Sequence, residues 1–294
     1  MAAPPERAQR GIQSIEVGTR LLVALVHHGA PMALKDLARE AGMAAAKAHP
    51  YLVSFGRADL IEQDAASGRY FLGPLARQIG LISLQQASPV QVATPLAAEL
   101  AQRVGHTVAL AVWGARGATI VRVEESPAAV HVNMRHGTVF SLTNTASGRL
   151  FGAYLDAGTV RAMLDAERRR QSDDCQDQAG MPPAQPLPEW AEFERQLAQV
   201  RAEGLSRSEG EVIPGVNAMA APVFDHTGAI VLSLTAIGPA AVFDTAASGA
   251  LAQALRDCAQ QASQRLGALP QSPRSPPAEA STLRIKAPLA RPTA

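Results

Sequence analysis

Residues 11–73 contain three segments in which apolar residues recur at helical spacing, and the short breaks between these segments restrict the folds that the chain can adopt. Apolar residues recur at helical spacing in 15–26, 34–41 and 45–58, and glycines at Gly29 and Gly42 end the first two runs. Two short strand-like runs, 60–62 and 69–72, then flank a turn at 64–68. Helix, helix, glycine turn, helix and hairpin is the order of a winged helix-turn-helix, and we predict that fold for 11–73.

The same spacing predicts which side chains of the three helices face the core. The predicted core positions are Ile15, Leu22, Leu25 and Val26 in the first helix, Leu34, Leu37, Ala38 and Ala41 in the second, and Ala48, Leu52 and Phe55 in the third.

The remainder of the chain predicts an α+β fold with a second, larger domain. A linker helix is expected in 74–91, opened by Pro74, and a domain of mixed helices and strands in 92–267. Strands are expected at 107–113, 118–125, 217–224 and 229–237, helices at 92–104 and 244–266, and a loop at 168–185. We expect a twisted antiparallel sheet with helices on its faces. Residues 1–10 and the Pro-rich basic tail 268–294 are expected to be disordered.

Charge and composition exclude several classes of function. Lys plus Arg total 27 against 26 Asp plus Glu, a net charge of +1, so indiscriminate binding to nucleic acid is not expected. Aromatic residues are only 4%, which disfavours a platform of stacked bases. The amino terminus lacks a signal peptide and no apolar run is long enough to span a bilayer, so we expect a cytoplasmic protein without a membrane partner.

No motif for a cofactor, metal or catalytic centre is present in the sequence. Neither a G-x-G-x-x-G nor a G-x-x-x-x-G-K-[ST] phosphate loop occurs, and the seven histidines and two cysteines form no metal-ligand set. Ser147 stands beside Gly148 but not in a G-x-S-x-G nucleophile elbow. We therefore expect no cofactor, no metal and no enzyme activity.

Five basic or polar side chains in the first domain are candidates for DNA contact. Lys47 and His49 lie on the third helix, Arg57 near its end, Arg69 on the hairpin, and Lys35 on the second helix. Solvated surface charge is an equal interpretation for Lys35 and Arg57.

Two features of the third helix argue against DNA contact. Pro50 removes one helical hydrogen bond, and Ala44 to Ala46 provide no capping hydroxyl. A ligand- or partner-binding protein with a degenerate DNA helix is therefore the alternative function.

The sequence resembles the IclR-type bacterial transcription regulators over roughly residues 11–267. The resemblance lies in GIQSIEVGTRLLVALVHHGAPMALKDLAREAGM, KAHPYLVSFGRADLIEQDAASGRYFLGPLARQIGL, TVALAVWGARGATIVRVEES, SLTNTASGRLFGAYL and GEVIPGVNAMAAPVFDHTGAIVLSLTAIGP. It implies a winged helix-turn-helix, a linker helix and a GAF-like effector-binding domain. It also implies dimers, often paired into tetramers, on operator DNA. Relatives usually carry serines before Lys47 and an arginine where this chain has Pro50.

The expected effector site begins at a helix near residue 146. Thr145 can cap that helix, so that the N–H groups of Ala146, Ser147 and Gly148 point outward and suit a small carboxylate. An ordinary capped helix beside a sheet is the alternative.

Strand 229–237 presents Ser233 and Thr235 on a face opposite Ile230, Leu232 and Leu234, which fits either a pocket wall or a half-exposed sheet face. The resemblance adds Ser208, Ala218, Thr235 and Ile237 as pocket residues. A larger, partly aromatic organic acid is the expected effector.

Overall fold

The computed structural model describes residues 11–126, 134–177 and 187–268, except for the side chains of 172–177. Both segments predicted to be disordered lie outside this part of the chain, apart from residue 268. The chain divides into two compact units, Met1–Ala87 and Ser88–Ala294.

The first unit has the predicted order of three helices and a hairpin. The elements are α1 (Gln13–His28), α2 (Leu34–Glu40), α3 (Ala45–Arg57), β1 (Ile61–Gln63), β2 (Tyr70–Leu72) and α4 (Pro74–Gln86). The glycines after α1 and α2 have φ of +70° and +66°, a left-handed conformation that glycine adopts without strain. Antiparallel pairing of β1 with β2 forms the wing, and Met32 adds a bridge to Tyr70.

The buried face of α1 differs from the predicted one. Gly18, Leu21, Ala24 and Leu25 are buried, whereas Ile15 is 62% exposed and Val26 46% exposed. At Gly18 an added Cβ would lie 2.9 Å from the Tyr51 ring, so the backbone of α1 packs directly on α3 there. The prediction is confirmed for Leu25, which is buried, and for Leu22, which packs against the core, and it is wrong for Ile15 and Val26.

The second unit is built on one six-stranded antiparallel sheet. Its strands are β3 (Thr107–Gly114), β4 (Gly117–Glu124), β5 (Val139–Phe140), β6 (Ser206–Glu209), β7 (Val216–Phe224) and β8 (Ile230–Pro239). They lie in the order β5-β4-β3-β8-β7-β6, so β3 and β8 pair at the centre although they are distant in sequence. This agrees with the predicted α+β fold and antiparallel sheet.

Helices cover both faces of this sheet. The helices are α5 (Pro89–Val104), α6 (Ala146–Tyr154), α7 (Ala157–Asp177), α8 (Trp190–Glu203) and α9 (Ala250–Arg265). Helices α5 and α9 pack together on one face, and α6 packs with α8 on the other. Ser233 and Thr235 are buried as completely as Leu232 and Leu234, so the alternative of a half-exposed sheet face is excluded.

Several predicted boundaries in the second unit are corrected. Helix α5 begins at Pro89 rather than 92, and α9 begins at Ala250 rather than 244. The segment 168–177, predicted as a loop from its charge, continues α7. A bulge at the end of the β7–β8 pair places Ile230 against the cluster around Phe151. Strict alternation along β8 had assigned Ile230 to the opposite face.

Candidate nucleic-acid interface and ligand site

The exposed face of α3 carries the predicted DNA-contacting side chains of that helix. Lys47, His49 and Arg57 are all exposed, and the buried side chains of α3 are Ala48 and Leu52. The sequence of α3 contains no Asp or Glu. Any charge on the solvent-facing side of this helix is therefore positive.

Pro50 lies on the same exposed face and does not break α3. The helix is continuous over Ala45–Arg57, and Ser54 Oγ donates to the Pro50 carbonyl at 2.9 Å. As predicted, Ala44 at the N-cap makes no side-chain capping bond. One lost backbone hydrogen bond is tolerated because the Pro50 side of the helix faces water.

The wing is a short, well-bonded hairpin. Asp64 accepts hydrogen bonds from both the backbone and the hydroxyl of Ser67, and these bonds hold the pKa of the Asp64 carboxyl below its usual range. Arg69 is exposed and its Nη1 lies 3.4 Å from the Pro31 carbonyl. Lys35 is exposed on α2. Among the described residues of the first unit, neither Lys35 nor Arg69 forms an ion pair with an acidic side chain.

In the second unit, Thr145 caps α6 as predicted. Its Oγ1 accepts from the Gly148 N–H at 2.9 Å and donates to the Ser141 carbonyl at 2.7 Å. The prediction that the Gly148 N–H is free for a ligand is therefore wrong. A Cβ at Gly148 would lie 2.0 Å from the Ser141 oxygen, so this glycine permits close approach of the chain's own backbone.

Three predicted effector residues form a buried chain of hydroxyl groups. Ser147 Oγ lies 2.8 Å from Thr235 Oγ1, which lies 2.9 Å from Ser233 Oγ. The three residues are 0–2% exposed. This chain joins the first turn of α6 to the central strand β8 and lies in an interior that is otherwise largely apolar.

The remaining predicted effector residues occupy the adjacent row of the sheet. Ser208, Ala218 and Ile237 are direct cross-strand neighbours on β6, β7 and β8, so their side chains share one face. Ser208 Oγ donates to the Asn144 carbonyl at 3.0 Å, just before α6. The structure thus brings the predicted effector residues together beneath the start of α6, in a closed arrangement.

Two buried hydroxyl groups on this face lack a partner. Thr107 Oγ1 and Ser206 Oγ make no hydrogen bond to any described residue, and both residues are 1% exposed. Thr107 lies opposite Ile237, and Ser206 lies opposite Ala220. Buried hydroxyls are usually paired, so these two have hydrogen-bonding capacity left for water or for a ligand. Sequence reasoning missed both, since each is one hydroxyl in an ordinary strand.

An arginine cluster beside this face was also missed. Arg149 Nη1 donates to the Thr143 carbonyl at 2.7 Å and lies 2.5 Å from Glu211 Oε2, while Nη2 donates to the Arg207 carbonyl. The side chain of Arg149 is only 11% exposed. It fixes the loop before α6 to β6, and no sequence spacing reveals such a link across 62 residues.

This cluster borders a cavity of about 960 Å³. Thr143, Asn144, Arg149, Ser206 and Glu211 are among its lining residues. None of the predicted effector residues lines it, although Asn144 and Ser206 are their immediate neighbours. The cavity therefore lies next to the closed hydroxyl cluster.

The described residues contain no group of three or more His, Cys, Asp or Glu side chains arranged for a metal ion. Within the same part of the chain, every helix is too short or too polar to cross a bilayer. Burial raises the pKa of the Cys258 thiol to about 11, so this side chain is neutral near pH 7.

Comparison with known proteins assigns both units to one family. Residues 82–264 match the family model described as bacterial transcriptional regulator IclR C-terminal, and residues 14–65 match the IclR helix-turn-helix domain. The chain belongs to the IclR family of bacterial transcriptional regulators. The chain is therefore a DNA-binding transcription regulator. Both matching families describe regulators of transcription rather than enzymes.

Individual relatives extend over nearly the whole chain. The chain is 30% identical over 261 residues to the glycerol operon regulatory protein of Streptomyces griseus, covering 88% of this chain and 98% of the relative. It is 23% identical over 267 residues to the transcriptional repressor AllR of Klebsiella pneumoniae, covering 90% and 94%. The crystal structure of Pseudomonas aeruginosa HmgR matches with a TM-score of 0.78 and 33% identity, covering 87% and 99%.

Proposed function

We propose that this IclR-family regulator is controlled by a small organic acid that binds beneath the start of α6. The observation that carries the proposal is the buried hydroxyl chain of Ser147, Thr235 and Ser233. The unpartnered hydroxyls of Thr107 and Ser206 on the same face support it. Such hydroxyls can donate hydrogen bonds to the carboxylate oxygens of an organic acid.

The first turn of α6 supplies the carboxylate-binding part of the proposed site. Its N–H groups at Ala146 and Ser147 add the positive end of the helix dipole, while Gly148 is held by its cap. Ala218 and Ile237 make the middle of the neighbouring row apolar, between the hydroxyl groups of Thr107 and Ser208. This mixture favours an acid with a substantial apolar or aromatic part, and Ser208 completes the set.

Ligand binding in this site requires the closed cluster to open toward the cavity of about 960 Å³. Opening would break the bonds that hold the loop before α6 to β6, from Arg149 to the Arg207 carbonyl and from Ser208 to the Asn144 carbonyl, together with the Arg149–Glu211 ion pair. A ligand that prefers the open arrangement would then shift the population of the second unit, which is the basis of effector control.

A panel of small acids tests the effector site. Glycerol and glycerol 3-phosphate are included because one relative is named for a glycerol operon. Thermal denaturation should show an upward shift for at least one aliphatic or aromatic acid. Thr235→Ser should keep that shift and Thr235→Val should lose it, each relative to its own unliganded midpoint. A shift confined to the polyols, or one unchanged in Thr235→Val, would contradict the proposed site.

For DNA contact we propose Lys35, Lys47, His49, Arg57 and Arg69. Their common exposure and the absence of acidic residues on α3 support this assignment. Lys47→Ala should weaken binding and lower the slope of log K against log salt by about one if Lys47 contacts a phosphate. Arg116→Ala, an exposed cation in the second unit, is the matched control and should leave the slope unchanged.

We further propose that the protein acts as a homodimer, which can pair into a tetramer, in the bacterial cytoplasm where its DNA is. Helix α4 has no buried residue, yet Ile79, Leu81, Ile82 and Leu84 are 45–63% exposed. Apolar side chains so placed favour burial against a second copy. Ile82→Glu should reduce the molar mass measured by light scattering, whereas Gln85→Glu should not.

A further inference from the structure

One exposed stripe of α3 is apolar over most of its length. Ala46, Pro50 and Val53 follow one another at helical spacings of four and three residues, directly opposite the buried Ala48 and Leu52. Val53 is 41% exposed. None of the three belongs to the buried core of the first unit, so packing in that core does not account for the apolar surface that they expose.

The stripe is flanked by basic side chains. Lys47 and His49 are exposed on its two sides, and Arg57 continues it at the carboxyl end. A surface of this kind suits an apolar target enclosed by negative charge. The floor of the DNA major groove between two phosphate backbones is such a target, and the only apolar group exposed there is the C5-methyl group of thymine.

We infer that Ala46, Pro50 and Val53 read thymine methyl groups, so that the operator half-site carries thymines opposite this stripe. From residue 46 to residue 53 the helix rises about 10 Å, which equals roughly three base-pair steps. Pro50 then has a positive role in DNA reading. Its ring offers apolar contact and no hydrogen bond, and it discriminates against a guanine that presents only acceptors at that place.

Substitution of thymine by deoxyuridine tests this inference, because it removes the methyl group and leaves the hydrogen-bonding edge unchanged. The full chain is first used to select its preferred duplex from a random pool, and each thymine of one half-site is then replaced singly. Affinity should fall about fourfold for each methyl group that packs on the stripe, the equivalent of about 0.8 kcal/mol for a buried methylene. At least two thymines in the half-site should behave in this way.

Variants assign the contact to individual side chains. The variants Val53→Ala and Pro50→Ala are compared by the ratio of their affinities for the thymine and the deoxyuridine duplex. In each variant this ratio should fall toward one at a single thymine position of the half-site. Because this ratio compares two duplexes with the same protein sample, a partly unfolded variant does not alter it. Val242→Ala, a 71% exposed valine of the second unit, is the matched control and should keep the ratio.

Three results would overturn the inference. Selected half-sites could lack thymine, deoxyuridine could bind as well as thymine at every position, or the ratio could be unchanged in both variants. The second and third results would leave specific DNA binding intact, so they separate failure of methyl reading from failure of DNA binding itself.

Discussion

Thr235→Val should destabilise the second unit far more than the loss of one hydroxyl group suggests. Thr235 Oγ1 bonds to Ser147 at 2.8 Å and to Ser233 at 2.9 Å, and the three residues are 0–2% exposed. Valine has nearly the shape of threonine, so the packing is kept while two buried serine hydroxyls lose their partner. Each stranded hydroxyl costs about 1–3 kcal/mol, and we expect the free energy of unfolding to fall by about 2–5 kcal/mol.

Tryptophan fluorescence during urea unfolding measures this loss selectively. Both tryptophans, Trp113 and Trp190, lie in the second unit, so the signal contains no contribution from the first. The triple variant Ser147→Ala, Ser233→Ala, Thr235→Val removes all three hydroxyls and should recover most of the lost stability, since no hydroxyl of this chain of three is then left unpaired. A loss of unfolding free energy below about 0.5 kcal/mol in Thr235→Val would contradict this prediction. A triple variant that is less stable than Thr235→Val would contradict it as well.

Three further predictions concern particular side chains. Gly148→Ala should lower the melting temperature sharply, because its Cβ would meet the Ser141 oxygen at 2.0 Å. Gly80→Ala, with open space around it on α4, should instead raise helix stability by about 0.5–1 kcal/mol. Thermal unfolding followed by circular dichroism compares the two variants. Burial raises the pKa of the Cys258 thiol to about 11, so this thiol should resist a disulfide reagent at pH 8 until the second unit unfolds. Its contribution to stability should be complete below the ordinary thiol pKa and should decline as the pH rises toward 11. Rapid labelling of the folded protein would contradict this prediction. Pro50→Ala should stabilise the first unit by about 1–3 kcal/mol, since it restores a helical hydrogen bond, and an unchanged denaturation midpoint for that unit would show that α3 already accommodates the ring without cost.

Local signals were sufficient to predict the elements of the first unit. Glycines at positions 29 and 42 end helices, the hairpin turn lies between two short strands, and α3 spans almost the predicted residues. The face of α1 was predicted less well, because Gly18 packs against Tyr51 and periodicity of large apolar residues gives no weight to a glycine contact. The resemblance to the IclR family, by contrast, was confirmed across both units.

In the second unit, the parts that were missed depend on contacts between distant segments. The predicted effector residues lie together. Whether the buried hydroxyls of Thr107 and Ser206 have a hydrogen-bond partner depends on neighbouring segments, and the sequence of their own strands does not reveal it. The Arg149–Glu211 pair joins residues 62 positions apart. Charge in 168–177 was read as a loop, although a long helix with a solvated face accommodates the same composition. The GAF-like character and the exact domain limits stay predictions.

Coupling between the two units is the central claim, and a single titration addresses it. Fluorescence anisotropy gives the affinity of the full chain for its selected duplex, with and without the acid that raises the melting temperature of the second unit. We predict that the acid changes this affinity by at least fivefold, and that the duplex changes the affinity for the acid by the same factor. An acid that stabilises the second unit and leaves DNA affinity unchanged would contradict effector control of this regulator.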